Sequence, residues 1–276
     1  MFAATMLAPI GWALYQSLFK LQRSGLGLEE PTDVFAGLEN YATALHDDKF
    51  LSSIVRVFML AIVQVPIMLG LALALALLLD SRAAPLKRTF RLIYFLPYAL
   101  PGVIAAIMWS FLYTRSTSPF TEPLQRLGLE VNFLSGELVL ASIGNMITWG
   151  FTGYNMLILY SALQAIPSEL HDAAAIDGCT GWRFAWYVKI PLVRPALVLT
   201  LLFSIIGIAQ LFNDPAILQK VSPAVTAHFT PIMAVKEAAD LNNYNYAAAQ
   251  SIALAVLTFA LSFTILKITQ RKGSLT

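Results

Sequence analysis

Nine side chains able to hydrogen-bond or stack fall inside otherwise apolar stretches: Gln64, Asn145, Thr148, Trp149, Thr152, Tyr154, Asn155, Gln210 and Asn213. Amides beside aromatic faces suit the hydroxyls and ring faces of a sugar. Asn, Gln and Thr in spans also join helices to one another, and the sequence leaves both roles open. The absence of buried Arg or Lys beside them argues against an anionic sugar phosphate as ligand. Nothing in the chain points to catalysis. It has no G-x-x-x-x-G-K-[ST] phosphate loop, no H-E-x-x-H, no G-x-S-x-G and no pair of intramembrane aspartates. His46, His171 and His228 have no ligand spacing, and the single Cys179 excludes an internal disulfide or a cysteine metal cluster. No metal or cofactor is therefore expected on this chain.

These groups need elements to hold them at membrane depth. The 276 residues are 58% hydrophobic and only 12% charged, the composition of an integral membrane protein. Near-neutral net charge gives no case for nucleic acid. Six windows, near 2–19, 54–79, 92–114, 138–163, 195–213 and 247–266, are long enough to cross about 30 Å of hydrocarbon. The expected fold is all-α, one transmembrane domain over 1–276 with six spanning helices. Pro66 is expected to kink the second span, and Pro97 and Pro101 each remove a backbone donor from the third. The first span lacks the basic start and cleavage site of a secretory signal and reads as a retained helix, although a cleaved signal is the alternative. The outer segments are expected near 20–53, 115–137 and 214–246.

Charge sets the orientation. On the side that holds residues 80–91, the 164–194 segment and the C-terminus, ten Lys/Arg stand against four acids; the other side has eight against twelve. The positive-inside rule places the first side, with both termini, in the cytoplasm. The span centres carry no ionisable side chain, so a proton-driven carrier would have little to titrate, while sodium coupling through carbonyls and hydroxyls stays open.

Between the fourth and fifth windows lies "ELHDAAAIDGCTGWRFAWYVKIPLVRP", residues 169 to 195. Pro167 ends the preceding span, Ser168 is placed to cap a short helix, and Glu169 suits its first turn. That helix, over 169–177, presents Ala173, Ala174 and Ala175. Gly178 suits the left-handed position beyond its end, and Asp177 is expected to accept backbone donors of the turn. A second helix over 181–190 groups Trp182, Ala185, Trp186 and Ile190 on one face, until Pro191 and Pro195 break it. Lys189 reads as exposed. Nine helical residues reach only about 14 Å, so the first helix must lie at the surface. It either docks in a partner's groove or rests on lipid headgroups.

The stretch resembles the cytoplasmic loop of permease subunits in binding-protein-dependent ABC importers, where E-A-A, three residues, D-G-A and P-x-x-x-P follow in order. Here Asp172, Ala173 and Ala174 stand for E-A-A, Asp177, Gly178 and Cys179 for D-G-A, and Pro191 and Pro195 for the closing prolines. Asp for Glu and Cys for Ala are the departures. "FAGLENYATALHDDKF", "FLPYALPGVIAAIMW" and "NYNYAAAQSIALAV" resemble the sugar-importer branch, near the larger maltose permease, in order and spacing. After the fifth span "LFNDPAILQKVSP" stands where that branch has T-x-G-G-P. The resemblance implies a permease that forms half of a pathway with a second, homologous permease in a bacterial or archaeal plasma membrane. Two ATPase subunits, holding ATP and Mg, would dock on the loops, and an extracytoplasmic solute-binding protein would deliver a sugar. On that reading Glu169, Asp172, Ala173, Ala174, Asp177, Gly178 and Pro191 couple to the ATPase. Gln64, Asn145, Trp149, Tyr154, Asn155, Gln210 and Asn213 are the candidate pathway groups. The alternatives are a self-sufficient channel or carrier, or a permease for a non-sugar solute such as a glycerol phosphate.

Overall fold

The computed structural model describes residues 1–22, 32–81 and 86–273. Arg23, Glu29, Glu30 and Arg82, which enter the charge balance, lie outside them. Helix α1 (Phe2–Ser17) leads to a two-stranded antiparallel hairpin, β1 (Phe19–Gln22) with β2 (Thr32–Phe35), and then to α2 (Glu39–His46). The hairpin is a departure from an all-α fold. It forms outside the long helices, where Phe19 packs edge-on against Phe35 at 5.6 Å between ring centroids. Asn40 Nδ2 ties the region to α1 by donating to the carbonyls of Ser17 and Phe19, at 2.9 and 2.6 Å.

Helix α3 (Asp48–Asp80) is capped by Asp47, whose carboxylate accepts from the backbone N–H of Lys49 and Phe50. It runs through Pro66 without a break. The next elements are α4 (Lys87–Ala99), α5 (Gly102–Tyr113), a short α6 (Thr121–Arg126) and α7 (Val139–Gln164). Among the described residues three helices are long and apolar enough to cross a membrane, α3, the segment Arg194–Leu218 and Tyr244–Thr269, or four if a bent pair counts as one span. The expected third window is not one straight helix. Its two halves, α4 and α5, meet at 91°. Leu100 precedes a proline, which disfavours helical backbone, and it sits extended at ψ 138° with Pro101 opening the second half.

Helices α3 and α7 form the spine and run side by side in the same direction. Gln64 hydrogen-bonds Thr148 and, 16 residues on, Asp80 hydrogen-bonds Gln164, so the offset is 84 at both places. That register holds for about 24 Å at 1.5 Å per residue. The chain between them must return to the starting end, and α4–α5 does so along α7 despite its bend. Arg91 lies 5.1 Å over the ring of Tyr160, Tyr94 meets Gly153, and Tyr113 reaches Ser142 and Asn145. Helix α7 is the most enclosed, with Ile143, Met156 and Leu159 wholly buried. Ile62, Leu78 and Phe259, by contrast, point outward. Apolar side chains facing out around an apolar core fit a lipid surround rather than water.

After α7 come the loop helices α8 (Ser168–Ile176), α9 (Gly181–Phe184) and α10 (Ile190–Leu192), then α11 (Arg194–Ala209), α12 (Asn213–Leu218), α13 (Pro231–Asp240) and α14 (Tyr244–Gly273). Helix α11 packs on α3 and α14, and α1 packs along α14.

The closest helix contact requires a glycine. A Cβ on Gly153 would lie 1.7 Å from the carbonyl oxygen of Tyr94, in backbone that cannot swing aside. Gly153→Ala should therefore force α4 from α7 and destabilise the protein by about 1–3 kcal/mol. Thermal unfolding of the purified chain in detergent should show a lowered midpoint. Gly11→Ala, where a Cβ meets nothing within 4 Å, should not lower it.

Candidate functional site

A cavity of about 310 Å³ opens beside the α4–α5 break. Its walls come from five places: α3 (Met68), the break itself (Pro97, Tyr98, Leu100, Gly102), α5 (Trp109), α7 (Met146 to Asn155) and the end of α11 with the start of α12 (Phe203 to Asp214). Helix α11 stops at Ala209, and Gln210, Leu211 and Phe212 form a non-helical corner before α12. Both interruptions of helical backbone among these walls thus border the same space. This is where such backbone can be accommodated, because the groups it frees find other partners or a cavity. At the corner, the Leu211 carbonyl accepts from Thr230 Oγ1 at 2.8 Å.

Five of the seven expected pathway residues meet here: Trp149, Tyr154, Asn155, Gln210 and Asn213. Tyr154 stacks on Tyr98 at 4.5 Å and 18°, and Trp149 meets Trp109 edge-on at 5.7 Å. The wall is thus aromatic with amides set into it. Two buried polar atoms of wall residues have no partner among the described residues, Asn155 Oδ1 and the Trp109 indole N–H. Gln64 and Asn145 do not line this space. Gln64 is buried against α7, bonded to Thr148 beneath Gly144, and Asn145 Nδ2 donates to the Tyr113 hydroxyl at 2.9 Å. Both are joints between helices, the alternative that their residue types had left open. Tyr98, Trp109 and Asp214 were missed. Tyr98 and Trp109 lie in the third window, where only the two prolines had been singled out, and Asp214 in what read as an outer segment.

The loop 164–194 is described throughout. Helix α8 ends on Gly178 at φ +69°, with Cys179 N–H donating to Ala174 O at 2.8 Å and Gly178 N–H to Ala175 O at 3.1 Å. This paired bonding closes the helix and needs the left-handed residue. Three details differ from expectation. Ser168 is the first helical residue and makes no capping bond, the cap position being Pro167. The Asp177 carboxylate has no partner among the described residues; the turn's donors are already used by backbone carbonyls. Ala174 is buried, while Ala173, Ala175 and Ile176 are exposed, Ile176 at 88%. Glu169 lies in the first turn and Asp172 is exposed on the same short helix.

Pro191 does not break the second helix, which continues to Leu192 through a π-helical turn over Ala185–Lys189. The wider turn lies where a proline ring would otherwise meet the carbonyl four residues back. Lys189 is not exposed. It forms an ion pair with Asp80 at the end of α3, and the same carboxylate accepts from Gln164 at the end of α7. Side-chain exposures are 17% and 9%, and the Lys189 ammonium lies 5.4 Å from the Phe184 ring. The node pins the loop to the ends of both spine helices.

Comparison with known proteins gives a consistent picture. The family described as binding-protein-dependent transport system inner membrane component matches residues 67–271. A probable ABC transporter permease protein of Pyrococcus horikoshii is 32% identical over 241 residues, 84% of this chain and 80% of that protein. The sn-glycerol-3-phosphate transport system permease protein of Agrobacterium fabrum is 30% identical over 258 residues, 92% of this chain and 85% of that one. A trehalose transport system permease protein of Mycobacterium tuberculosis is 30% identical over 217 residues, 75% of this chain and 65% of that one. In structure, the chain superposes with a TM-score of 0.80 on a chain of a bacterial alginate ABC transporter in complex with an alginate pentasaccharide-bound periplasmic protein. That match has 19% identity and covers 98% of this chain and 90% of the other.

The Asp80–Lys189 node gives a direct test. Lys189→Ala leaves a shielded carboxylate without its cation, which costs about 3–5 kcal/mol locally. Protease cleavage within 168–193 in detergent should then rise sharply. The double variant Asp80→Leu with Lys189→Met removes both charges and should return cleavage toward the original rate.

Proposed function

Because the chain belongs to the family of binding-protein-dependent transport system inner membrane components, we propose that it crosses the membrane six times and supplies half of a sugar pathway. A second, homologous permease supplies the other half. The observation that carries this reading is that one pair of helices does two things. Helices α7 and α11 wall the cavity, and the same two helices are joined by the 164–194 loop. A push on α8 is therefore delivered to the two walls that hold Asn155 and Gln210. Two ATPase subunits, where ATP and Mg are held, would provide that push and alternate the pathway between its two open states.

The sugar reading rests on stacked aromatics with inset amides, and on the named cargo of the mycobacterial relative. Delivery by an extracytoplasmic solute-binding protein is supported by the complex of the structural neighbour. The membrane is then the plasma membrane of a bacterium or archaeon, with both termini and the loop in the cytoplasm. Within the loop the two helices divide the two roles open from sequence. Helix α8, with its exposed Ala173, Ala175 and Ile176, is the docking element. The second helix exposes Trp182, Trp186 and Tyr187, at 70%, 56% and 71%, and suits the headgroup layer.

Two outcomes test this function. Gly178→Val forces a β-branched residue into left-handed backbone, at about 1–2 kcal/mol, and tilts α8. In a detergent pull-down the partner permease should stay bound and the ATPase should be lost, with uptake abolished; normal ATPase retention would remove the docking role. Asn155→Ala should lower uptake by the assembled importer several-fold while assembly and basal ATP hydrolysis persist. Gln64→Ala should instead lower thermal stability, since Gln64 joins α3 to α7.

A further inference from the structure

The cavity is uneven in charge. Asp214, the second residue of α12, lines it beside Asn213 and Gln210, and its carboxylate makes neither an ion pair nor a hydrogen bond among the described residues. No Lys, Arg or His is among the described residues lining the space. Asn155 is 2% exposed, and its Oδ1 is buried without a donor among the described residues. Such a buried acceptor is costly, and the half-buried Asp214 adds a carboxylate, a stronger acceptor, to the same wall. A ligand that brings donors to both would remove that cost. Hydroxyl groups do so, and the aromatic faces of Tyr98, Tyr154 and Trp149 can cover the apolar side of the ring that carries them. A phosphate monoester is the opposite case. It carries close to two negative charges near neutral pH and offers mainly acceptors, and it would sit beside an unpaired carboxylate in a space of about 310 Å³.

We infer that Asp214, with Asn155, sets the charge selectivity of this permease: the pathway takes a neutral polyhydroxy compound and rejects its phosphorylated counterpart. The inference rests on the sugar-permease reading and sharpens it, since a relative at 30% identity is named for sn-glycerol-3-phosphate. Asp214 acts as a specificity-determining group that accepts hydrogen bonds from ligand hydroxyls and repels anions. It comes from the segment "LFNDPAILQ", where α12 starts, and lines the cavity wall there.

The test is direct binding to the assembled importer in detergent, without nucleotide and without the solute-binding protein, so that no other component selects the ligand. Trp109 and Trp149 line the cavity and report through their fluorescence. The matched probes are trehalose and trehalose 6-phosphate. Trehalose should change the emission saturably, and the phosphate should bind at least tenfold more weakly. Asp214→Asn, nearly isosteric, should weaken trehalose about tenfold, as expected for loss of a hydrogen bond to a charged acceptor, and should narrow the gap between the probes. Asn155→Ala should weaken trehalose and leave the gap in place. Equal or tighter binding of the phosphate to the unmodified protein overturns the inference. So does an Asp214→Asn protein with unchanged trehalose affinity and unchanged discrimination. If neither trehalose nor a panel of neutral mono- to trisaccharides gives a saturable response, the sugar reading itself falls, and this inference with it.

Discussion

The rest of the structure depends on the in-register packing of α3 against α7. Two helices that point the same way, with equivalent levels 84 residues apart, oblige the chain between them to travel back along their length. The α4–α5 segment does this against α7, and the fit is close enough that Gly153 has room for no side chain beside Tyr94. Small residues at the crossings and buried amide or hydroxyl pairs hold such helices together where the hydrophobic effect offers no preference between lipid and protein. Gln64–Thr148 and Asn145–Tyr113 serve that purpose here.

Once the spine is fixed, the backbone itself decides where a polar space can exist. A helix in lipid satisfies its own hydrogen bonds, and any interruption must be covered by protein or open to a cavity. The break at Leu100–Pro101 and the corner at Gln210–Phe212 come to one place, and the cavity lies between them. Pro101 and the α11–α12 corner are therefore features of the site as much as of the fold. Aromatic side chains from α4, α5 and α7 cover the remaining apolar wall.

The loop couples to this space through two fixed points. Helices α7 and α11 enter it directly, and the Asp80–Lys189–Gln164 node locks its second helix to the spine. The Gly178 turn makes α8 a separate, outward-facing unit. Between them, a π-turn lets one helix continue through Pro191.

Sequence alone carries the membrane class and the loop as a short helix closed by Gly178. These are local properties: run length, hydropathy and a turn that only glycine takes easily. Five of the seven residues expected at a pathway line one cavity, and they stood out in sequence as polar or aromatic groups inside apolar stretches. Sequence could not separate Asn155, which lines the cavity, from Asn145, which joins helices, since both are asparagines inside one apolar span. Their roles differ by which neighbour each meets, and only packing decides that. The same holds for Lys189, whose partner Asp80 is 109 residues away, and for Asp214, whose place next to proline read as an outer turn until α12 folded it against the cavity. The bend of the third window needed both causes, a proline in the sequence and a tertiary setting able to accept a 91° break. Local physics fixes what each segment can be; the register between distant helices fixes which side chains meet, because that depends on contacts no single segment contains.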